Sequence, residues 1–178
     1  MVRRDHIANA LYSLIYQNPA YYQVRWILAN GMEGVRIESE RLSGQISRTP
    51  AYALQNKSNR EYHDLIMGLQ PFQLYLSEPN LNREYGRLEY PLRPTVRVAV
   101  RLPPTRGKDN GYLIINVSLN EILEPGDLSA STDMELHVAN PDGDWVIHPK
   151  PDHTWASDLG HPHTVITDAP ALWQALGH

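Results

Sequence analysis

The sequence predicts an α+β fold, in which one antiparallel sheet is entered by a helix and flanked by others. Three observations carry that expectation. Short runs of alternating apolar and polar residues recur along the chain, as strands with one buried face require. Two other stretches place apolar residues at helical spacing instead. The order that results is helix, hairpin, helix, then three strands, which groups the helices beside a sheet and does not alternate β and α units.

Ile7, Leu11, Leu14 and Ile15 recur at helical spacing, so His6 to Tyr16 reads as an amphipathic helix stopped by Asn18-Pro19. Tyr21 to Ala29 reads as a strand that turns at Asn30-Gly31 into a second strand, Gly34 to Glu38. Asn-Gly is a strong hairpin signal because both central residues of a type I′ turn need positive φ. The polar stretch "SERLSGQISRTPAYALQNK" reads as loop. Ser58 and Glu61 have capping-box spacing before the stripe Tyr62, Leu65, Ile66 and Leu69, which predicts a helix over 59–69. Gln73 to Ser77 alternates, with Leu74 and Leu76 opposite Gln73, Tyr75 and Ser77. A polar loop rich in Pro follows, and then Thr95 to Leu102, where Val96, Val98 and Val100 oppose Thr95, Arg97, Ala99 and Arg101. Gly111 to Leu119 is the most apolar strand, suited to a central place, yet it carries Asn116; a short helix and a linker follow it.

The composition narrows the function classes. At 178 residues and a formal charge of −4, the chain is long enough for a domain with a core and lacks the basic excess of a nucleic-acid surface. No apolar run approaches the ~20 residues needed to cross a bilayer, and the N-terminus has no signal-peptide pattern. The absence of cysteine excludes disulfides and thiol chemistry and leaves the compartment open.

A second hairpin signal lies in "LHVANPDGDWVIHP". Aligning Gly31 with Gly143 pairs Asn30 with Asp142, and both turns sit between apolar strands about one small domain apart. Two copies of one module account for this, although Asn-Gly and Asp-Gly turns are common in themselves. Too few residues follow the second turn to finish a sheet of five strands at ~5–6 residues each. The second copy is thus expected to be cut short or abbreviated.

The segments "YYQVRWILANGMEGVRIE", "LQNKSNREYHDLI", "LYLSEPNLNREYGRLEYPLRPTVRVAV" and "GYLIINVSLNEIL", in that order, resemble the membrane-distal half of a double Cache (PDC, PAS-like) sensor domain. "MELHVANPDGDWVIHPKPDHTW" resembles the opening hairpin of the membrane-proximal half. The resemblance implies a five-stranded antiparallel sheet with a long N-terminal helix. It divides the chain into a leading helix (1–20), a distal sensor module (21–128) and the start of a second module (129–178). It also implies a periplasmic place in a bacterial transmembrane receptor, a histidine kinase, diguanylate cyclase or chemoreceptor. Its partners would be a small-molecule ligand, the membrane that anchors the parent and a second copy joined through the N-terminal helix. The alternative from the same family is a ligand-free structural or dimerisation module.

Nothing in the residues points to an enzyme: no nucleophile elbow, paired carboxylates or phosphate loop is present. His137, His148, His153, His161 and His163 crowd the C-terminal part without Cys or H-E-x-x-H, and read as a solvated loop. No metal and no cofactor are expected. The candidate ligand site is instead Arg60, Tyr62, Tyr75, Arg97, Asn116 and Trp26. Tyr75, Arg97 and Asn116 share the strand face opposite the valines and leucines, and an arginine in a core strand is costly unless paired. The competing readings are a solvent-exposed face or a carboxylate of the same domain. Arg60 and Tyr62 open the capped helix, where backbone N–H groups and the dipole favour an anion; a solvated first turn is the alternative. In amino-acid-sensing Cache relatives, an Arg and aromatics of this helix hold the ligand carboxylate and a strand aspartate holds its ammonium. Arg60 and Tyr62 resemble the first set. Asn116 falls at the aspartate's place but is neutral, which favours a small organic anion or an uncharged ligand over an α-amino acid.

Overall fold

In the computed structural model, which describes residues 2–40, 43–122, 135–175 and 177, helix α1 spans Val2–Gln17. It buries Ala8, Leu11 and Ile15 and leaves Leu14, expected on the buried stripe, 39% exposed. Asn18 ends it: the Asn18 Oδ1 accepts from Ala20 N at 3.1 Å, and Pro19 cannot continue the helical ladder. Then come β1 (Tyr21–Ile27), β2 (Glu33–Ser39), β3 (Ile46–Arg48) and α2 (Glu61–Met67). After these come β4 (Leu74–Leu76), β5 (Asn80–Leu81), β6 (Arg83–Glu84), β7 (Arg87–Leu88), β8 (Pro94–Arg101) and β9 (Tyr112–Ser118).

By contact, the chain forms two units. The first is Met1–Ser77 with Val96–Glu121; the second is Glu78–Thr95 with Ile122–His178. In the first unit the sheet runs β3-β2-β1-β9-β8-β4, with the pairings among β1, β2, β3 and β9 and that of β4 with β8 antiparallel. The expected α+β class holds. The sheet exceeds the five strands expected, because β3 forms in a stretch read as loop, pairing Ile37 with Arg48 and Ser39 with Ile46. β9 is central, as its apolar run requires. β4 is an edge strand that leaves Leu74 and Leu76 about 70% exposed on its outer side.

The two faces of this sheet differ. On one, Val24, Trp26, Val35 and Ile37 pack with Ala8, Leu11 and Ile15 of α1. On the other, Ile27, Ala99, Tyr112 and Ile114 pack with Ile66 of α2, flanked by Tyr62, Met67 and Tyr75. Burying a Leu- or Ile-sized side chain is worth about 1.5–3 kcal/mol, so each seven- or five-residue cluster outweighs any single polar contact in the unit.

Two local details depart from expectation. Gly31 has φ +80 but Asn30 is not in the left-handed region, so the hairpin is not type I′. It closes by Gly31 N donating to Leu28 O and Leu28 N to Met32 O, a type I turn followed by a left-handed glycine. The capping box also fails: the N-cap of α2 is Arg60, whose side chain makes no cap bond. Ser58 sits too early, its backbone turned in by the Asn56 side chain at 2.8 Å.

The second unit contains β5, which pairs with Pro94–Thr95, and the β6–β7 hairpin. That hairpin turns on Tyr85 (φ 51) and Gly86 (φ 80), both in the left-handed region. Residues 78–95, read from sequence as a loop of the first module, are thus grouped with the C-terminal part. Leu81 N donates to Asp158 Oδ2 at 2.8 Å and Arg83 lies 3.8 Å from the same carboxylate. β10 (Val138–Ala139) and β11 (Trp145–Ile147) form the second hairpin. Three short helices follow: α3 (Ala156–Leu159), α4 (Val165–Asp168) and α5 (Pro170–Ala175). A true capping box opens α4, where Thr164 and Thr167 exchange side-chain and backbone bonds.

The two hairpins repeat one another in detail. Asn140 N donates to Asp144 O and Gly143 N to Asn140 O, the pattern made by Leu28, Gly31 and Met32. Gly31 O accepts from Lys57 N and Gly143 O from Val165 N, both at 2.8 Å. Met32 bridges Asn56 as Asp144 bridges Thr164. The boundary expected between 128 and 129, and most of the helix and linker expected after Leu119, lie outside the described residues. Among those described, no helix is long and apolar enough to cross a membrane.

Candidate functional site

Period-two alternation decides which side chains of β1, β8, β9 and β4 meet on the α2 face. Gln23 pairs with Asn116, Arg25 with Ile114 and Ile27 with Tyr112, and Tyr75 pairs with Ala99. Arg97 lies two residues from Ala99 and shares its face. One residue breaks the alternation. Tyr21 pairs with Val117 but Gln23 pairs with Asn116, so Tyr22 is the extra residue of a bulge. The bulge brings Tyr22 to the Asn116 side, where its hydroxyl accepts from Asn116 Nδ2 at 3.2 Å.

Asn116 is the floor of this site, 1% exposed. Its Oδ1 accepts from Arg25 Nη2 at 2.6 Å, and its Nδ2 also reaches Gln23 Oε1 at 3.4 Å. The amide therefore works first as a partner for a buried guanidinium. Above it Arg60, Tyr62, Tyr75 and Arg97 form a half-buried rim. Arg97 lies 5.9 Å from the centre of the Tyr62 ring, a cation–π distance. Burial depresses the Arg97 pKa, and the like charges of Arg25 and Arg60 lower it further, while Tyr22 and Tyr62 oppose them. Tyr112, fully buried beneath α2, meets His63 Nδ1 at 3.1 Å, and burial pushes its phenol far up.

Beside the floor, buried Glu33 collects cations: Arg25 at 3.8 Å and Arg36 and Lys57 at 4.0 Å. It also accepts from Gln55 N at 2.9 Å, and Arg36 reaches Glu38 at 2.6 Å. Taken with Arg60 and Arg97, these cations make five basic groups, against Glu33, Glu38 and the first-turn Glu61 and Asp64 of α2. Such a surplus in a partly desolvated place favours an anion.

The structure thus brings together five of the six expected residues: Arg60, Tyr62, Tyr75, Arg97 and Asn116. It does not bring Trp26 to them. Trp26 pairs with Leu113 on the α1 face, its indole Nε1 donating to Asn110 O at 2.7 Å and its ring lying against Gly34. Arg25, Tyr22 and Gln23 were missed. The alternation that singles out Arg97 in β8 marks Gln23 and Arg25 in β1 equally well; Tyr22 needed the bulge. A cleft of about 180 Å³ lies elsewhere, lined by Arg4, Gly34, Arg48 and Pro50 among others. It is below the usual ~300–1,000 Å³ of a ligand site, and its Arg48 is already held by Asp5 at 2.8 Å. The α2-face cluster is the better candidate on chemistry.

In the second unit His137 and His161 are exposed, as expected of a solvated loop, but the other C-terminal histidines are not. His153 is buried, and its ring stacks on His148 at 4.4 Å and on His163 at 3.9 Å.

A family model described as "Bacterial histidine kinase, sensor domain" matches residues 2–178. No curated protein matches the chain. Among solved structures, the chain is similar to a domain of a sensory box/GGDEF family protein from Vibrio parahaemolyticus. The identity is 22% and the TM-score 0.82, over 98% of this chain and 65% of that one. It is also similar to the extracellular domain of a protein classed as a histidine kinase, at 22% identity and TM-score 0.81, over 98% and 62% of the two chains. A methyl-accepting chemotaxis protein shares the fold more distantly, with TM-score 0.62 at 12% identity, over 85% of this chain and 60% of that one. The chain thus spans somewhat under two thirds of the length of these solved domains.

Proposed function

The chain belongs to the family of bacterial histidine kinase sensor domains, and on that premise we propose that its first unit binds a small anionic molecule on the α2 face. It is a sensor part and not a catalytic one. We take it to lie outside the cytoplasm, as the solved extracellular domain of the same fold does. The parent receptor is membrane-anchored and carries the output domain, a kinase or a diguanylate cyclase.

One observation carries the reading: Arg25, Arg60 and Arg97 converge on one sheet face with Tyr22, Tyr62 and Asn116, and their mutual repulsion adds to the burial penalty on Arg97. A carboxylate or phosphate offers these groups bidentate, charge-assisted hydrogen bonds. Asn116 engages Arg25 and sets that guanidinium in place, so the site lacks an acidic partner there for a ligand ammonium. An organic acid fits better than an α-amino acid.

The signal leaves through β1. Gln23 and Arg25 face the site while Val24 and Trp26 pack on α1, so a ligand that shifts the strand also shifts the helix. The mechanism is population shift between two settings of α1. A homodimer through α1 belongs to the same proposal, supported by Tyr12 and Tyr16, one turn apart and 44% and 74% exposed. The second unit is read as the start of a second module, because its hairpin repeats the first bond for bond. One observation favours the alternative of a ligand-free structural module: Asn116 is engaged by Arg25, Tyr22 and Gln23 of its own unit.

Thermal-shift screening of organic acids, amino acids and phosphates separates the two. A ligand present at a hundred times its Kd adds about 2.7 kcal/mol of stability. At least one acid is expected to raise the melting temperature of the wild type and not of Arg97→Met. A panel in which no compound shifts the wild type overturns the sensing role.

A further inference from the structure

We propose that His153, His163 and Asp152 of the second unit bind a first-row divalent metal ion of the zinc type, with Asp168 as the positioning residue. One donor atom from each of the three lies within 4.8 Å of the others. The donors of a tetrahedral zinc ion, bound at about 2.0–2.1 Å, stand roughly 3.4 Å apart, so the three must close by up to about 1.4 Å. The set comes from two segments joined by α3: Asp152 and His153 before the helix, His163 after it.

Asp168 makes this cluster more than a coincidence of surface histidines. Its Oδ2 meets His153 Nδ1 at 2.9 Å and its Oδ1 lies 3.4 Å from His163 Nδ1. One carboxylate therefore engages the same ring nitrogen of both histidines. With the proton on Nδ1 both contacts are hydrogen bonds, and Nε2, the lone-pair nitrogen, is left to a metal. The arrangement is a carboxylate–histidine–metal relay used twice. Asp168 is itself fixed: Trp145 Nε1 donates to its Oδ2 at 3.0 Å, and Thr167 Oγ1 lies 3.3 Å from its Oδ1.

The geometry also says what must move. The rings of His153 and His163 stack with planes 17° apart, and lone pairs of parallel rings do not meet at one point. His163, the more exposed ring with the looser Asp168 contact, tilts about χ2, a broad torsion that costs little. His153, buried and packed on His148, stays. With three protein ligands, the fourth position is left to water or to a ligand. Imidazole and carboxylate together suit zinc, copper or nickel, and not magnesium or calcium, which prefer all-oxygen sites.

The experiment titrates the 178-residue chain with Zn²⁺ by calorimetry, with Mg²⁺ as control and Co²⁺ as a spectroscopic probe. Expected are one saturable Zn²⁺ site, intense visible bands from tetrahedral Co²⁺, and no heat with Mg²⁺. Asp152→Ala, at an exposed site, and His163→Ala, at a half-buried one, each weaken Zn²⁺ binding at least tenfold, and Asp168→Asn weakens it about 10- to 100-fold. Asp168→Asn also alters the Co²⁺ bands, which a purely structural role would leave alone. His161→Ala, next to the site but outside it, changes nothing. No saturable Zn²⁺ binding overturns the proposal. So does an affinity unchanged in the His163→Ala, Asp152→Ala double variant, or a loss on His161→Ala as large as that on His163→Ala.

Discussion

Replacing Arg97 by Met tests the proposed sensing site most directly, because a binding role lowers affinity with little change in stability, whereas a structural role lowers stability. The methionine keeps most of the apolar stem and removes the guanidinium. Among the contacts it removes is that with the Tyr62 ring at 5.9 Å, worth about 0.5–1 kcal/mol at a partly exposed site. In a chain of this length, about 1 kcal/mol moves the melting temperature by roughly 2–4 °C. Against that loss stands a gain. Burial and the neighbouring charges of Arg25 and Arg60 all depress the Arg97 pKa, so the folded state disfavours its charge and is relieved when the charge goes. The net expectation is a melting temperature within about 4 °C of wild type, on either side. Binding behaves differently: a charge-assisted hydrogen bond to a ligand is worth about 1.5–3 kcal/mol, so affinity falls roughly 10- to 100-fold. The assays are a thermal melt without ligand and calorimetry with an acid found in the screen. A fall of ten degrees or more without ligand would refute the reasoning, for it would make Arg97 a structural cation.

Three further outcomes are expected. Asn116→Leu strips partners from Arg25, Tyr22 and Gln23 at once and costs roughly 3–5 kcal/mol in urea unfolding, whereas Asn116→Asp keeps the Arg25 bond and costs about half as much. Gly31→Ala sets a Cβ 2.6 Å from the Ser58 Cβ and backbone N, while Gly143→Ala meets only Trp173 and Ile166 side chains at 3.2–3.3 Å. Both incur the left-handed penalty of about 1–2 kcal/mol, so Gly31→Ala is the more damaging by urea midpoint. The hydrogen bond from Arg101, with help from Gly111 N–H, holds the Asp109 carboxyl below its usual value. Its contribution is complete above the unfolded value near 3.9 and is lost as pH falls through the folded one; Asp109→Asn should flatten unfolding midpoints measured between about pH 5 and 2.5.

How much of this was legible depends on the physical signal each feature leaves. Period-two alternation marked β1, β4, β8 and β9 and the shared face of Tyr75, Arg97 and Asn116, because one strand face is buried and the pattern must show it. β3 left little signal: three residues at a sheet edge need no apolar pattern, and Ser47 and Arg48 are exposed. The Ser58–Glu61 spacing misled because the chain is held at Ser58 by Asn56 and at Lys57 by Gly31, which delays the helix to Glu61. The Asn-Gly dipeptide announced a turn but not its type, since the left-handed glycine alone satisfies a three-residue loop. The packing of His153 and His163 was missed for a simpler reason. Asp168 follows His163 by five residues and His153 by fifteen, and no spacing rule links a carboxylate to two rings across a helix and a turn.

Tyr22 shows where the alternation argument reaches its limit, whereas Trp26, next to Arg25, lies on the α1 face as alternation requires. Both lie in β1, four residues apart, and strict alternation puts them on the same face. The bulge after Tyr21 separates them, sending Tyr22 to Asn116 while Trp26 stays with α1. A strand whose register is broken in this way serves two layers, and it does so with adjacent residues. Gln23 and Arg25 support the site, while Val24 and Trp26 between and beside them support the helix. Packed cores deform little, so under the proposed mechanism a shift of Arg25 toward a bound anion would pass to Val24 and Trp26. β2 repeats the division, with Arg36 held by Glu38 on the site side and Val35 and Ile37 on the helix side. On the proposed reading, a ligand on one face biases α1 on the other without touching it, through the two strands that serve both layers.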